Sequence, residues 1–113
     1  MSEQAQILRG TLELLIRKVV SLGPLYGCGV LLRIQQISGQ ALLIEQVALY
    51  PALFRLVRRG LLKASWGTSE NNRRAKFYEP TPAGRKPFWE QTEGWNRLAG
   101  AMTAALGAKL EGA

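Results

Sequence analysis

The sequence predicts a mainly α-helical protein with a small β-hairpin and a long C-terminal helix. Two features of its 113 residues carry this prediction. Apolar residues recur at steps of three and four along four separate stretches, the spacing that places them on one face of a helix. Between the third and fourth stretches, Leu61–Trp66 and Ala75–Glu79 have the composition of two short strands. The polar segment Gly67–Arg74 joins them, which predicts a hairpin with a mobile tip.

The first helix is predicted over Ile7–Leu22 and the second over Tyr26–Ile37, separated by the helix-ending pair Gly23 and Pro24. The apolar face of the first helix comprises Ile7, Leu8, Leu12, Leu15, Ile16, Val19 and Val20. Its edges carry the charged residues Arg9, Glu13, Arg17 and Lys18. The apolar face of the second helix comprises Val30, Leu31, Ile34 and Ile37. The connector Ala41–Glu45 is expected to be extended, with Leu42, Leu43 and Ile44 buried.

The third predicted helix, Glu45–Gly60, has two contrasting faces. Its apolar face comprises Leu49, Leu53, Leu56 and Val57. We expect its opposite face to comprise Ala48, Ala52, Arg55 and Arg59. Small residues permit a close approach to another surface, and arginine can bond phosphates or guanine edges, although a solvated basic face gives the same pattern. Pro51 removes a backbone donor, so either the regular helix begins nearer Tyr50 or its first turns are bent.

The last predicted helix runs from Pro82 to Leu106 and has Thr81 as its N-cap. Its apolar stripe comprises Phe88, Trp95, Ala99, Met102 and Leu106. About 25 residues at 1.5 Å each give a rod of about 37 Å, while a compact domain of this size has a radius of gyration of about 13 Å. The rod is expected to project from the body and to pair its stripe with the same helix of a second copy. Trp66 and Trp89 are expected to be packing residues.

The composition argues against an enzyme. The chain has no histidine and no aspartate, so the usual general base and the commonest metal ligand are absent from the sequence. Its single cysteine, Cys28 between Gly27 and Gly29, has no histidine to activate it, and we expect it to be a small packing residue. We therefore predict no catalytic residues, no metal site and no cofactor.

The sequence also predicts a cytoplasmic location. A single cysteine cannot form an internal disulfide, which fits a reducing compartment. The N-terminal segment M-S-E-Q-A-Q lacks the basic start and apolar core of a signal peptide. No apolar run reaches the length of a membrane span, because Arg17, Lys18 and Arg33 interrupt the richest stretch.

The formal net charge of +7 comes from one segment. Residues 55–86 contain nine basic residues and two glutamates, whereas the remaining residues contain six of each and balance to zero. Such localised positive charge is typical of nucleic-acid-binding proteins. An anionic membrane or an acidic protein could also use it.

The order of the predicted elements is that of a winged helix-turn-helix: two helices, a helix with a basic face, and a hairpin with basic residues at its tip. In such proteins the second helix of the motif enters the major groove of DNA and the preceding helix crosses the backbone. The motif would be Tyr26–Ile37 followed by Gln46–Arg59. We predict a winged helix-turn-helix DNA-binding domain over residues 1–81, and a C-terminal dimerisation helix and tail over residues 82–113.

Over about residues 7–106 the chain resembles the PadR-like transcriptional regulators. The matching motifs are L-R-G-T-L-E-L-L-I at Leu8–Ile16, L-G-P-L-Y-G-C-G-V at Leu22–Val30, A-L-Y-P-A-L-F-R-L at Ala48–Leu56, R-R-G-L-L at Arg58–Leu62, N-N-R-R-A-K-F-Y at Asn71–Tyr78 and T-P-A-G-R at Thr81–Arg85. The L-Y-P-A-L block, the basic wing and the T-x-x-G motif together, in this order, are specific to the family. The chain departs from many members at Leu25–Cys28, where they carry His-Gly-Tyr.

The resemblance implies a homodimeric transcriptional regulator of the short form, usually a repressor that a small molecule releases from a pseudo-palindromic operator in double-stranded DNA. It places Tyr50, Pro51 and Arg55 in the recognition helix. The predicted DNA-binding residues are Tyr26, Gln46, Ala48, Tyr50, Arg55, Arg59, Arg73, Arg74 and Lys76. Trp95 falls where drug-sensing members place a tryptophan that stacks on flat aromatic ligands. The candidate residues for such a planar aromatic effector are Trp95, Leu98, Ala99 and Met102.

Several alternatives stay open at this point. The Tyr50 ring packs against the second helix, contacts DNA, or does both, and Trp95 is either a ligand platform or part of the dimer core. A different reading of the whole chain is a cytoplasmic small-molecule binding protein with an aromatic pocket at its dimer interface. A third is attachment to anionic membranes. The distribution of the basic residues argues against it, because they are spread over three elements rather than along one amphipathic helix.

Overall fold

The computed structural model describes the backbone of residues 2–110 and the side chains of residues 10–110. In chain order its elements are α1 (Ser2–Ser21), β1 (Leu25–Tyr26), α2 (Gly27–Ile37), α3 (Gln46–Arg58), β2 (Leu62–Thr68), β3 (Arg74–Pro80), a 3-10 turn (Pro82–Gly84) and α4 (Arg85–Leu106). This order confirms the predicted fold class. Residue 1, residues 111–113 of the predicted tail and the side chains of Ile7, Leu8 and Arg9 lie outside the described residues. The division between residues 81 and 82 stays a prediction.

One hydrophobic core joins the first three helices to the base of the hairpin. Its buried residues are Leu12, Ile16, Val19, Val20, Val30, Ile34, Leu49, Ala52, Leu53, Leu56, Leu62 and Tyr78. Leu15, Leu31 and Val57 are partly buried at its margin, as their positions in the predicted stripes require. Ile37, the last residue of α2, is exposed although it belongs to the predicted apolar face. The apolar periodicity therefore predicted most of the core correctly.

The hairpin belongs to a three-stranded antiparallel sheet in the order β1-β3-β2. β1 pairs Leu25 with Tyr78, and β2 pairs Leu62 with Pro80. The sequence did not predict β1, since two residues are too few to show an alternation. Both hairpin strands run further towards the tip than predicted. Residues 69–73 form the tip, which a hydrogen bond from the Ser69 amide to the Arg73 carbonyl closes, while its mobility stays a prediction.

Three packing predictions are wrong. In the connector at 41–45, Leu43 is exposed rather than buried, whereas Leu42 and Ile44 are partly buried against the core. Cys28 is exposed, because it is the next residue after the buried Gly27 and points about 100° around α2 from it. The Trp66 and Trp89 side chains are also exposed. The first lies beyond the point at which β2 leaves the core, and the second lies on α4, none of whose residues is buried.

The molecule is elongated, measuring 62 × 28 × 24 Å with a radius of gyration of 16.4 Å. The 22 residues of α4 span about 33 Å, which agrees with the predicted projecting rod. The 3-10 turn before α4 has Thr81 as its N-cap, and the Thr81 hydroxyl accepts a hydrogen bond from the Gly84 amide at 3.1 Å. Thr81 therefore caps this turn, whereas α4 itself begins at Arg85, three residues later than predicted, with Gly84 as its N-cap.

Arg17 anchors α4 to the body and corrects the prediction that it lies at the edge of α1. It is only 4% exposed. Its guanidinium donates to the Gly84 carbonyl at 2.8 Å and to the Gln91 side-chain oxygen, and it lies 5.4 Å from the centre of the Phe88 ring. Burial lowers the pKa of the Arg17 guanidinium, and the nearby Arg59 lowers it further, while Glu13 raises it. This one side chain therefore connects α1, the 3-10 turn and α4.

Candidate nucleic-acid interface

α3 presents an apolar side to the core and a mixed side to solvent. Its exposed side is centred on Val47, Pro51, Phe54 and Arg58, which lie within about 60° of one another at 100° per residue. The outer face predicted from the sequence points about a quarter turn around the helix axis from the exposed side that the structure shows. Of the residues assigned to that face, Ala48 is exposed, but Ala52 is buried among the core leucines. α3 begins at Gln46, which excludes a helix start at Tyr50.

Tyr50 packs over the first residue of α2. Gly27 is buried there, and a Cβ atom at this position would lie 2.5 Å from the Tyr50 hydroxyl oxygen. Tyr50 is still 45% exposed, so part of its surface faces solvent. Burial raises the pKa of the Tyr50 hydroxyl, and the neighbouring Cys28 adds to the rise. The first alternative for Tyr50, packing against α2, is confirmed, and its contact with DNA stays a prediction.

Gln46 and Tyr26 lie on either side of this contact. The Gln46 side chain is exposed at the first residue of α3, with its amide nitrogen 3.8 Å from the Cys28 sulfur. Tyr26 is partly buried, and its ring meets the Phe77 ring edge-on at 5.7 Å between centroids. The DNA-binding roles predicted for both residues stay predictions.

Arg55 and Arg59 both pair with Glu13 of α1. The Arg55 Nε donates to one Glu13 oxygen at 2.7 Å, and an Arg59 terminal nitrogen donates to the other at 3.3 Å. The Arg55 side chain is 31% exposed and the Arg59 side chain 55% exposed. The sequence offered DNA contact or plain solvation and did not predict this ion pair, which links residues far apart in the chain. DNA binding by the two arginines stays a prediction.

The hairpin carries the predicted wing cations, Arg73, Arg74 and Lys76, all exposed. Arg74 and Lys76 flank the Trp66 ring, with the Arg74 guanidinium carbon 4.8 Å and the Lys76 nitrogen 5.9 Å from its centre. Trp66 is directly opposite Lys76 across the strand pair. Such cation–aromatic contacts order flexible basic side chains on one face of the wing. Sequence reasoning missed this role for Trp66, although its place between basic residues of the neighbouring strand was a usable signal.

α4 carries the candidate effector residues. Trp95, Leu98 and Met102 are exposed and recur at steps of three and four, and Ala99 is partly buried beside them. The four side chains therefore share one face of a helix that buries no residue in this chain. The two roles considered for Trp95, a ligand platform and part of a dimer core, stay predictions.

Neither a metal-binding cluster nor a membrane-spanning helix occurs in the part of the chain that the structure describes. No group of three or more His, Cys, Asp or Glu side chains is arranged there to hold a metal ion. No helix between residues 2 and 110 combines the length and hydropathy of a membrane span.

The transcriptional regulator PadR-like family model matches residues 16–90, more than half of the chain. A search of curated proteins found no match.

Solved structures extend the similarity to nearly the whole chain. A PadR family transcriptional regulator from Eggerthella lenta is 26% identical with a TM-score of 0.74, covering 96% of this chain and 92% of its own. A transcriptional regulator from Clostridium thermocellum is 25% identical with a TM-score of 0.77, covering 88% and 93%. Bacillus subtilis PadR in complex with operator DNA matches at 20% identity and a TM-score of 0.64, covering 73% of this chain and 46% of its own.

These relatives are transcriptional regulators with a DNA-binding winged helix fold and are not enzymes, which confirms the prediction against catalysis. The family match covers α2, α3 and the hairpin, the elements that position the exposed α3 face and the basic wing. The chain belongs to the PadR-like family of transcriptional regulators.

Proposed function

We propose that the protein is a homodimeric, sequence-specific repressor that acts in the cytoplasm on a pseudo-palindromic operator. Two α3 helices would enter successive major grooves, about 34 Å apart. The observation that carries this proposal is the exposure of the basic segment. Of the nine basic residues in 55–86, all but Arg55 are exposed, so the localised positive charge is available to a polyanion.

The dimer rests on α4. This helix projects from the body, buries none of its own residues and exposes Trp95, Leu98, Met102 and Leu106 along one side. A row of large apolar side chains on a monomer gains stability when a second copy covers it. Pairing α4 with itself about a twofold axis would fix the distance between the two α3 helices, which is what a palindromic operator requires.

A selection of bound fragments from random duplex DNA tests the proposal. We expect an enriched inverted repeat with half-site centres about ten base pairs, or a multiple of that spacing, apart. Placing the selected site over a promoter that drives a reporter distinguishes repression from activation. A pool that shows no enrichment after repeated rounds at low salt would contradict sequence-specific binding.

Arg74→Ala is expected to weaken binding to operator and unrelated duplex alike, because the wing cations contact phosphate rather than bases. Each lost phosphate contact should reduce the slope of log K against log salt concentration by about 0.9. Fluorescence anisotropy titrations at several salt concentrations measure this slope. Lys109→Ala removes the same charge from an exposed position outside the basic segment and should leave the slope unchanged. If Arg74→Ala and Lys109→Ala had the same salt-dependence slope, Arg74 would not contact DNA phosphate.

The proposed effector is a planar aromatic molecule stacked on Trp95. We expect a flat dye such as proflavine to quench the tryptophan fluorescence of the DNA-free dimer, and Trp95→Phe to abolish the saturable part of the quenching. Trp89→Phe is the matched control, since Trp89 is exposed on the same helix but lies outside the candidate effector residues. Quenching that persists in Trp95→Phe and disappears in Trp89→Phe would place the ligand site at Trp89 instead. If the wild type shows no saturable quenching, such dyes are not effectors of this protein.

A further inference from the structure

The exposed centre of α3 is apolar. Val47 is 76% exposed and Phe54 is 64% exposed, one on each side of the exposed Pro51. None of these three side chains carries a hydrogen-bond donor or acceptor. The first polar side chain in this direction is Arg58, one turn beyond Phe54.

The polar residues that could form hydrogen bonds with a base lie at the edges of this face. Arg55 is held to the α1 side by its 2.7 Å bond to Glu13. Tyr50 leans to the α2 side, over Gly27. A helix entering the groove along its exposed centre would therefore present Val47 and Phe54 to the base edges.

Base edges offer only one apolar group in the major groove, the C5 methyl of thymine. Resting on the proposed function, we propose that Val47 and Phe54 read thymine methyl groups, so that the operator half-site carries thymines where these two side chains contact it. The two residues are seven positions apart, about 10.5 Å along the helix, so they contact separate base pairs.

The cations around the face favour DNA over a protein as its occupant. Arg58 continues the same face, and Arg59, Lys63 and the wing residues are exposed on neighbouring elements. An apolar strip flanked by positive charge fits a groove flanked by phosphates, because the cations hold the helix against the backbone while the strip meets the bases. A protein partner would need acidic flanks to match the same surroundings.

Thymidine and deoxyuridine differ only in the C5 methyl group, so their exchange tests the proposal directly. In the selected operator, replacing a contacted thymine with deoxyuridine should lower wild-type affinity about fourfold, the equivalent of about 0.8 kcal/mol for one buried methyl-sized group. The same replacement outside the half-sites should have no effect and serves as the control.

Phe54→Ala and Val47→Ala complete a double-mutant cycle. Each variant should lose at least about fourfold in operator affinity, on the same basis of one or more lost methyl-sized contacts. Each should also become insensitive to the deoxyuridine at its own position while staying sensitive at the other. Both positions are exposed, so we expect the thermal unfolding of the variants to match the wild type.

The outcomes separate this inference from the proposed function. Specific binding to an operator that tolerates deoxyuridine throughout its half-sites, or variants that bind with wild-type affinity, would overturn methyl reading and leave the repressor intact. No specific duplex binding by the wild type would overturn both.

Discussion

Met102→Glu is expected to convert the protein from a dimer to a monomer at micromolar concentration and to abolish tight operator binding. Met102 lies in the middle of the exposed α4 stripe, between Leu98 and Leu106. If α4 pairs with itself, each copy of the variant brings a carboxylate into an apolar contact that offers it no partner. An unpaired charge at an interface costs about 2–5 kcal/mol, and symmetry doubles the number of charges.

A change of about 1.4 kcal/mol in binding free energy changes a dissociation constant tenfold. The dissociation constant of the dimer should therefore rise by at least about 100-fold. Operator affinity should fall with it, because two linked reading helices gain on the order of 100-fold to 10,000-fold over one from their effective concentration. Binding to a single half-site should change little, since that contact needs only one chain. Sedimentation velocity across a concentration series measures the first effect, and anisotropy with full and half operators measures the second.

Ala104→Glu provides the control. Ala104 is exposed on α4, and it lies nine positions after Trp95, about 180° around the helix from it. The substitution adds the same charge at almost the same height without facing the partner, so this variant should remain a dimer. A wild type that sediments as a monomer at micromolar concentration, or a Met102→Glu variant that dimerises like the wild type, would contradict pairing through this stripe.

The sequence predicted the fold better than the environment of single residues. Leu49, Leu53 and Leu56 define the buried side of α3 because leucines at steps of four and three have only one favourable environment. Alanine fits either environment, and treating Ala52 as an outer residue turned the predicted face about a quarter turn away from Val47 and Phe54. Trp66 lies on the predicted core side of its strand, opposite Lys76 on β3, but alternation carries no information about where a strand leaves the core.

Side-chain contacts between distant parts of the chain could not be predicted from the sequence. The Glu13–Arg55 pair spans 42 positions, and the Arg17 contacts with Gly84 and Gln91 span 67 and 74. A charged residue at the margin of an apolar stripe normally reaches solvent. Arg17 instead contacts the Gly84 carbonyl, the Gln91 side-chain amide and the Phe88 ring. These contacts depend on where the fold places the turn before α4, which the sequence does not show.

Arg17→Met is expected to destabilise the protein by about 2–4 kcal/mol. Methionine fills a similar volume, so the loss comes from the polar contacts rather than from a cavity. A hydrogen bond from a charged group contributes about 1.5–3 kcal/mol. The bond to the carbonyl of the buried Gly84 accounts for most of the loss, whereas the exposed Gln91 can exchange its bond for one with water.

The loss should also reach the function, because Arg17 holds the start of α4 against α1. Freed from this contact, α4 would no longer fix the spacing of two α3 helices, so affinity for the full operator should fall more than affinity for a half-site. Urea unfolding at one protein concentration measures the stability, since a dimer unfolds at a concentration-dependent midpoint. Comparing full and half operators under folding conditions measures the spacing effect.

Lys18→Met makes the same substitution at the next residue, which is exposed, and should change stability by less than about 0.5 kcal/mol. It removes one positive charge as Arg17→Met does, so any difference between the two variants arises from the buried contacts and not from net charge. Equal losses in the two variants would mean that charge on α1 matters and the bridge to Gly84 does not. A wild-type urea midpoint for Arg17→Met would show that contacts other than those of Arg17 hold α4 to the body.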